Sequence, residues 1–227
     1  MQAAKPPQGG FCSFGLLCLL REHQRLRRWV QPVQRRGKEH AYKWLDLAAM
    51  CRLLLPKHHI NRIRYFTAHV SARIGSPDAP LNQQVYLRAL KTIPNLSIHL
   101  GEFLTHDRYM PLSSSTTNPP EKVKVRRTDE KGTDVNLATY LLFDLYESDC
   151  ECAVVVSNDS DLFEPLRIAK EHLKRRVGVI NPHEHPSKKL KQCATFVKSV
   201  REGVLAASQF PPLLTDRHGL ITKPPTW

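Results

Sequence analysis

A short apolar run that ends in carboxylates constrains the fold of this chain most. The valines at positions 154–156 are followed at once by Ser157, Asn158, Asp159, Ser160 and Asp161. An apolar, β-branched run of this length, bounded by polar residues, is typical of a strand buried on both faces of a parallel sheet. Ligand sites in open α/β sheets lie beyond the carboxyl ends of such strands. The pattern therefore predicts an α/β fold with a site at Asp159 and Asp161.

Helical and extended patterns alternate from residue 42 onward, as in layered α/β folds. Helices are predicted at 44–55 with Asp46 as a cap, at 81–93, at 133–146 and at 161–175. Strands are predicted at 63–70, 96–104, 123–125, 152–157, 177–180 and 196–200. The close succession of strand, helix and strand between 152 and 180 predicts a parallel pair joined by a right-handed crossover.

The 227 residues are enough for one domain with appendages. We predict an atypical basic segment at 1–40, the domain at 41–205 and an extended, Pro-rich tail at 206–227, with a loop at 110–122. The apolar run 11–20 is too short for a bilayer span, which takes about 20 residues, and no cleavage site follows it. It is predicted to be a buried strand or helix segment, and no membrane association is expected.

The net charge of the chain indicates the kind of partner that it binds, and its cysteine content indicates the cellular compartment. The formal net charge is +13, and an anionic partner such as nucleic acid is favoured over a purely solubilising role for the Lys and Arg residues. The six cysteines are scattered without a repeated C-x-x-C pair, which predicts neither a zinc cage nor a disulfide framework. Reduced thiols and a cytoplasmic location are therefore expected. Nothing in the sequence indicates an oligomeric state.

Three acids were considered as a set: Asp134 at a predicted helix start, Asp159 and Asp161. Each one has an ordinary structural explanation. Asp134 would interact favourably with the helix dipole, by about 0.3–1 kcal/mol. Asp161 could cap a helix, with Glu164 as its capping-box partner. A cluster of three carboxylates, by contrast, repels itself and favours a hard divalent cation such as Mg²⁺.

Two segments carry a family resemblance, KGTDVNLA at 131–138 and VVSNDSDL at 155–162. Together they resemble the acidic signatures of NYN domains, which belong to the PIN-like nuclease superfamily. Further similar stretches lie at 42–47, 64–68, 83–90, 179–183 and 207–212, so the resemblance covers about residues 42–227. It implies a Rossmann-like, three-layer α/β/α fold with a mainly parallel sheet. It also implies metal-dependent RNA cleavage, with Asp134, Asp159 and Asp161 binding Mg²⁺ or Mn²⁺.

The resemblance also gives expected roles. Asp159 is the first candidate for direct metal coordination, while Asn158 and Ser157 would orient a metal ligand or a phosphate. Five basic residues lie near these acids in the sequence and would either follow the RNA backbone or form a solvated edge: Lys131, Arg126, Arg127, Lys122 and Lys124. The pair His183 and His185 is a weaker metal-binding candidate.

One family feature is missing. NYN domains usually open with a central strand that ends in Asp-Gly-x-Asn and supplies the first metal-site acid, but no Asp precedes Asp46 here. Two explanations remain open: an altered reading frame over the first forty residues, or a genuine variant whose basic helix carries Arg21, Arg25 and Arg28. The sheet would lack its central strand unless the run 11–20 replaces it.

The predicted function is thus a metal-dependent ribonuclease, impaired if the first acid is lost. The alternative is a non-catalytic module with the same fold that binds RNA or protein. A phosphatase of the haloacid dehalogenase type is disfavoured, because the segment 158–163 lacks the final Thr or Val of the Asp-x-Asp-x-Thr/Val motif.

Overall fold

The computed structural model of the protein describes residues 15–22, 42–72, 77–148 and 150–225. In chain order its elements are β1 (Gly15–Glu22), α1 (Leu47–Leu54), β2 (His58–Ala68), α2 (Ala79–Leu90), β3 (Leu96–Pro111), β4 (Lys122–Lys131), α3 (Thr133–Tyr146), β5 (Cys152–Val156), α4 (Phe163–Glu171), β6 (Arg176–Asn181), α5 (Lys188–Cys193), β7 (Phe196–Ser199), α6 (Glu202–Ala207), β8 (Leu213–Asp216) and β9 (Gly219–Thr222). A short 3-10 turn, Ser160–Leu162, precedes α4.

A seven-stranded sheet forms the middle layer, in the order β4-β3-β2-β1-β5-β6-β7. Strands β2, β3, β5, β6 and β7 run in one direction, and β1 and β4 run in the other. Helices α3, α4 and α5 pack on one face, around Leu137, Leu166 and Leu190, and α1 and α2 cover the other face, around Met50 and Leu90. The predicted three-layer α/β/α fold with a mainly parallel sheet is confirmed. Among the described residues, no helix has the length and apolar character needed to cross a membrane.

The apolar run near the N-terminus supplies the central strand of the sheet. Strand β1 lies between β2 and β5, and Leu17 and Cys18 are fully buried on opposite faces of it. Part of the segment that we expected to lie outside the domain is therefore inside its core. Arg21, which we placed in a basic helix, lies in this strand, and Arg25 and Arg28 lie outside the described residues.

The direction of β1 matters for the site. It runs antiparallel to both neighbours, so its beginning lies at the edge where the parallel strands end, with Leu16 opposite Val156. Its only acid, Glu22, pairs with His58 at the other end of the sheet. Strand β1 thus fills the place of the central strand without delivering a carboxylate to the edge that carries Asp159.

Two regions differ from the predicted elements. The ladder between β3 and β4 extends to Pro111 and Lys122, so the loop is shorter than expected. The sequence did not predict these strand ends, because both strands are exposed there and lack an apolar alternation. The C-terminal residues do lie on the body, where Phe210 and Ile221 are buried, but they contain the hairpin β8–β9 instead of only extended chain. Prolines beside these short strands concealed the hairpin in the sequence.

Candidate active site at the carboxyl-end edge of the sheet

The segment after β5 forms a tight, hydrogen-bonded corner. The Ser157 hydroxyl accepts a hydrogen bond from the Asp159 amide at 3.1 Å, and the Asp159 carboxylate accepts one from the Asp161 amide at 2.9 Å. Asp159 is therefore the residue that caps the turn before α4, whereas the sequence offered Asp161 for that role. Glu164 pairs with Arg167 at 2.6 Å and does not close a capping box. The exposed Asp161 carboxylate accepts no hydrogen bond from the described residues.

Helix α3 brings Asp134 to the same edge. Gly132 occupies the cap position with φ of 92°, and Thr133 is the first helical residue. The chain passes very close to β3 here, since a Cβ on Gly101 would lie 2.7 Å from the Lys131 carbonyl oxygen and 2.9 Å from the Thr133 methyl. Close backbone packing thus fixes the first turn of α3 against the end of β2 and β3.

We expect Gly101→Ala to lower the free energy of unfolding by about 1–3 kcal/mol, the usual cost of overpacking, and to displace the α3 turn that carries Asp134. Urea denaturation measures the stability. Gly203→Ala is the matched control, because nothing lies within 4 Å of its added methyl group. Equal stability of the two variants would contradict this packing.

The three acids interact electrostatically. Partial burial raises the pKa of Asp134, and the negative charges of Asp159 and Asp161 raise it further. The negative charges at the β5 corner therefore disfavour ionisation of Asp134. Among the described residues, no group of three or more His, Cys, Asp or Glu side chains is arranged so that it could hold a metal ion by itself. The donor chemistry nevertheless suits Mg²⁺, which usually takes one or two protein carboxylates together with water.

This repulsion predicts a pH dependence. Because the pKa of Asp134 is raised in the folded state, that state holds more protons than the unfolded state from about pH 3.8, its ordinary pKa, up to the raised value. Stability is therefore lost as pH rises through this window. We expect Asp134→Asn, measured by urea denaturation in EDTA, to gain stability over the wild type between pH 4 and pH 7. A difference that shrinks with rising pH would contradict the repulsion.

Asn158 is held by the loop before α5. Its amide nitrogen donates to the His185 carbonyl at 3.0 Å, and its amide oxygen accepts from the Ser187 amide at 2.6 Å. Both polar ends of Asn158 thus tie the β5 corner to the next loop, a contact that the sequence did not predict. His183 and His185 are exposed in this loop. The roles expected for Asn158 and Ser157 toward a metal ligand or phosphate stay predictions.

The basic candidates are not all at the edge. Lys131 is exposed immediately before α3, next to the acids in the chain. Lys122 begins β4, nine residues away, so it lies about 30 Å along the strand from Lys131. Lys124 pairs with Asp107 at 3.0 Å on the β3–β4 hairpin. The side chains of Arg126 and Arg127 lie outside the described part of the structure.

A buried charged cluster holds α3 to the sheet. Asp144 is 1% exposed and accepts two hydrogen bonds from Arg64, at 2.8 and 2.7 Å. The guanidinium of Arg64 also lies 4.4 Å from the ring centroid of Tyr140, and its Nη1 is 3.2 Å from His99 Nε2. Burial and Arg64 lower the pKa of His99. This cluster was not predicted from the sequence, although Asp144, an acid on the apolar stripe of α3, indicated a buried charged partner.

A comparison with known protein families bears on the acidic segments. Residues 110–200 match the NYN domain family, and this range contains α3, β5 and all three acids. This part of the chain is therefore similar to an NYN domain. It is also 26% identical over 215 residues to 6-hydroxy-3-succinoylpyridine 3-monooxygenase HspA of Pseudomonas putida, covering 82% of this chain and 69% of that protein. A Vibrio parahaemolyticus protein of unknown function resembles 60% of this chain and 68% of its own, with 13% identity and a TM-score of 0.38.

Proposed function

We propose that this protein is a metal-dependent ribonuclease that hydrolyses RNA phosphodiester bonds in the cytoplasm. One observation carries the proposal: burial and the negative charges of Asp159 and Asp161 raise the pKa of Asp134 at the carboxyl-end edge of the sheet, within the segment that matches the NYN domain. A bound cation would relieve the repulsion between the carboxylates at that edge, and it would also attract phosphate.

Asp159, with Asp134 and Asp161, would hold the Mg²⁺ or Mn²⁺ ion. Such an ion supplies a water activated for attack and neutralises charge on phosphoryl oxygens. Ser157 and Asn158 keep the β5 corner in place through their hydrogen bonds to Asp159 and to the loop before α5. The exposed ammonium of Lys131, just before α3, would contact the RNA backbone.

The proposed site has one carboxylate fewer than the family pattern, because β1 is reversed. Residue 15 lies at the edge opposite Phe66, and strand alternation places it on the same face as Leu17, the face that α3 covers. We expect Gly15→Asp to lower the Mn²⁺ concentration for half-maximal RNA cleavage by about 10-fold. Gly15→Asn is the uncharged control. Identical metal requirements of the two variants and the wild type would contradict this explanation of a weakened site.

The 26% identical relative motivates a second candidate function. That relative is a monooxygenase by name, and its similarity covers more of this chain than the NYN match does. A monooxygenase acting on 6-hydroxy-3-succinoylpyridine would transfer one oxygen atom of O₂ to the substrate and reduce the other to water, with two protons and two electrons from a reductant. Uptake of O₂ with that substrate and a reduced nicotinamide would support this function, and absence of uptake would remove it.

The deciding experiment compares the purified full chain in Mn²⁺ and in EDTA, with a 5′-labelled single-stranded RNA. Shortened RNA products in Mn²⁺ alone would support the nuclease. RNA binding without products in either buffer would instead favour the non-catalytic module. Products in EDTA would exclude the metal-dependent mechanism.

A further inference from the structure

A cavity lies between α2 and the tip of the β8–β9 hairpin, with a volume of about 650 Å³. Three of its lining residues are Arg or Lys and two are His. The lining consists of His69, Gln84, Leu87, Arg88, Lys91, Asp216, Arg217 and His218. All eight lie outside residues 110–200, so the cavity belongs to the part of this chain that the NYN match does not cover.

An ion pair between Arg88 and Asp216 forms part of the cavity wall. The Arg88 guanidinium donates to both oxygens of Asp216, at 2.7 and 2.5 Å, and to the Gly219 carbonyl at 3.0 Å. The Asp216 carboxylate also accepts from the His218 amide at 2.8 Å. These contacts attach the hairpin turn to the last turns of α2. They hold Arg217 and His218 against the helix face that carries Lys91.

The charge of the cavity is unbalanced. Its only acid, Asp216, is used by Arg88, whose guanidinium keeps the pKa of that carboxyl well below its usual range. Lys91 and Arg217 are exposed, and neither forms an ion pair with any described residue. Two cations facing one cleft repel each other, and an anion between them would relieve that repulsion.

The lining residues of the cavity extend along α2, from His69 to Lys91. His69 directly follows β2 at the end where the parallel strands finish, and β2 is separated from β5 only by β1. Helix α2 packs on the opposite face of the sheet from α3, which carries Asp134. His69 is therefore near the edge that carries the carboxylates, whereas Lys91 follows the last residue of α2 and precedes β3, toward the other edge.

We propose that the cleft between α2 and the β8–β9 turn binds the phosphate backbone of single-stranded RNA, with Lys91 and Arg217 as phosphate contacts. This inference rests on the proposed function and extends it, since the cleft would be the track by which the substrate reaches the acids. Nucleic-acid phosphate is favoured over a small anion because three cationic residues line the cleft and the chain has a net charge of +13.

The test is RNA binding in EDTA, where cleavage does not interfere. We expect Lys91→Gln with Arg217→Gln to weaken binding of a fluorescent single-stranded RNA on the order of 10-fold. The slope of log affinity against log salt should also fall by about 1 to 2. The control is Lys57→Gln with Arg52→Gln, which removes the same charge from exposed residues around the start of β2, at the other end of the sheet.

Equal weakening by the two double variants, or no weakening by either, would overturn the proposal. Saturable binding of a small dicarboxylate such as succinate that depends on Lys91 and Arg217, with unchanged RNA affinity, would also overturn it. Cleft-dependent RNA binding by a chain that never cleaves in Mn²⁺ would support the cleft and contradict the nuclease, so the two proposals fail separately.

Discussion

Replacing Asp144 by alanine is expected to lower the free energy of unfolding by about 3–5 kcal/mol. Asp144 is almost fully buried, and it is the anion that both Arg64 and Arg62 face, at 2.7 and 3.4 Å. Without it the half-buried Arg64 guanidinium would lose two charge-assisted hydrogen bonds in a region of low dielectric constant. Removing one member of a buried ion pair costs far more than the pair itself contributes, because the remaining charge is left without compensation.

Urea denaturation of Asp144→Ala measures this loss. Glu164→Ala is the control, since Glu164 also pairs with an arginine but is exposed. Surface pairs contribute little, and we expect that variant to unfold close to the wild type. A small change for Asp144→Ala as well would show that the cluster of Arg64, Asp144 and Tyr140 does not hold α3 on the sheet.

The largest expected effect on activity belongs to Asp159. We expect Asp159→Asn to reduce metal-dependent RNA cleavage by at least about 100-fold, because it removes a negative charge from the proposed metal site. The substitution preserves the local structure, since an Asn side-chain oxygen can accept the hydrogen bond from the Asp161 amide. Asn and Asp are similarly good caps, so stability should change little.

The strand and helix patterns predicted the acidic edge well. The valine run at 154–156 is buried on both faces, and Asp159 and Asp161 follow it at the carboxyl end, as its composition indicated. Asp46 caps α1 through the amides of Ala48 and Ala49, as predicted. These features depend on neighbours within a few residues, which is why a local pattern encodes them.

Features that depend on distant parts of the chain were not predictable in the same way. The apolar run of β1 specifies burial, but an apolar strand has the same pattern in either direction. Its antiparallel direction is set by its pairing with β2 and β5, which are distant in the sequence. The Arg64–Asp144 and Arg88–Asp216 pairs join residues 80 and 128 positions apart. No local spacing brings such residues together, and the cavity beside Arg88 was missed for this reason.

A comparison of two Asp→Asn variants tests whether the edge after β5 is a metal-dependent nuclease site. Asp159→Asn and Asp46→Asn make the same chemical change at two aspartates that both cap a helical turn. Only Asp159 lies beside Asp134 and Asp161. Single-turnover cleavage of labelled RNA in Mn²⁺ should continue at the wild-type rate in Asp46→Asn and fall at least about 100-fold in Asp159→Asn. Equal rates in the two variants, or no cleavage by the wild type, would contradict the claim.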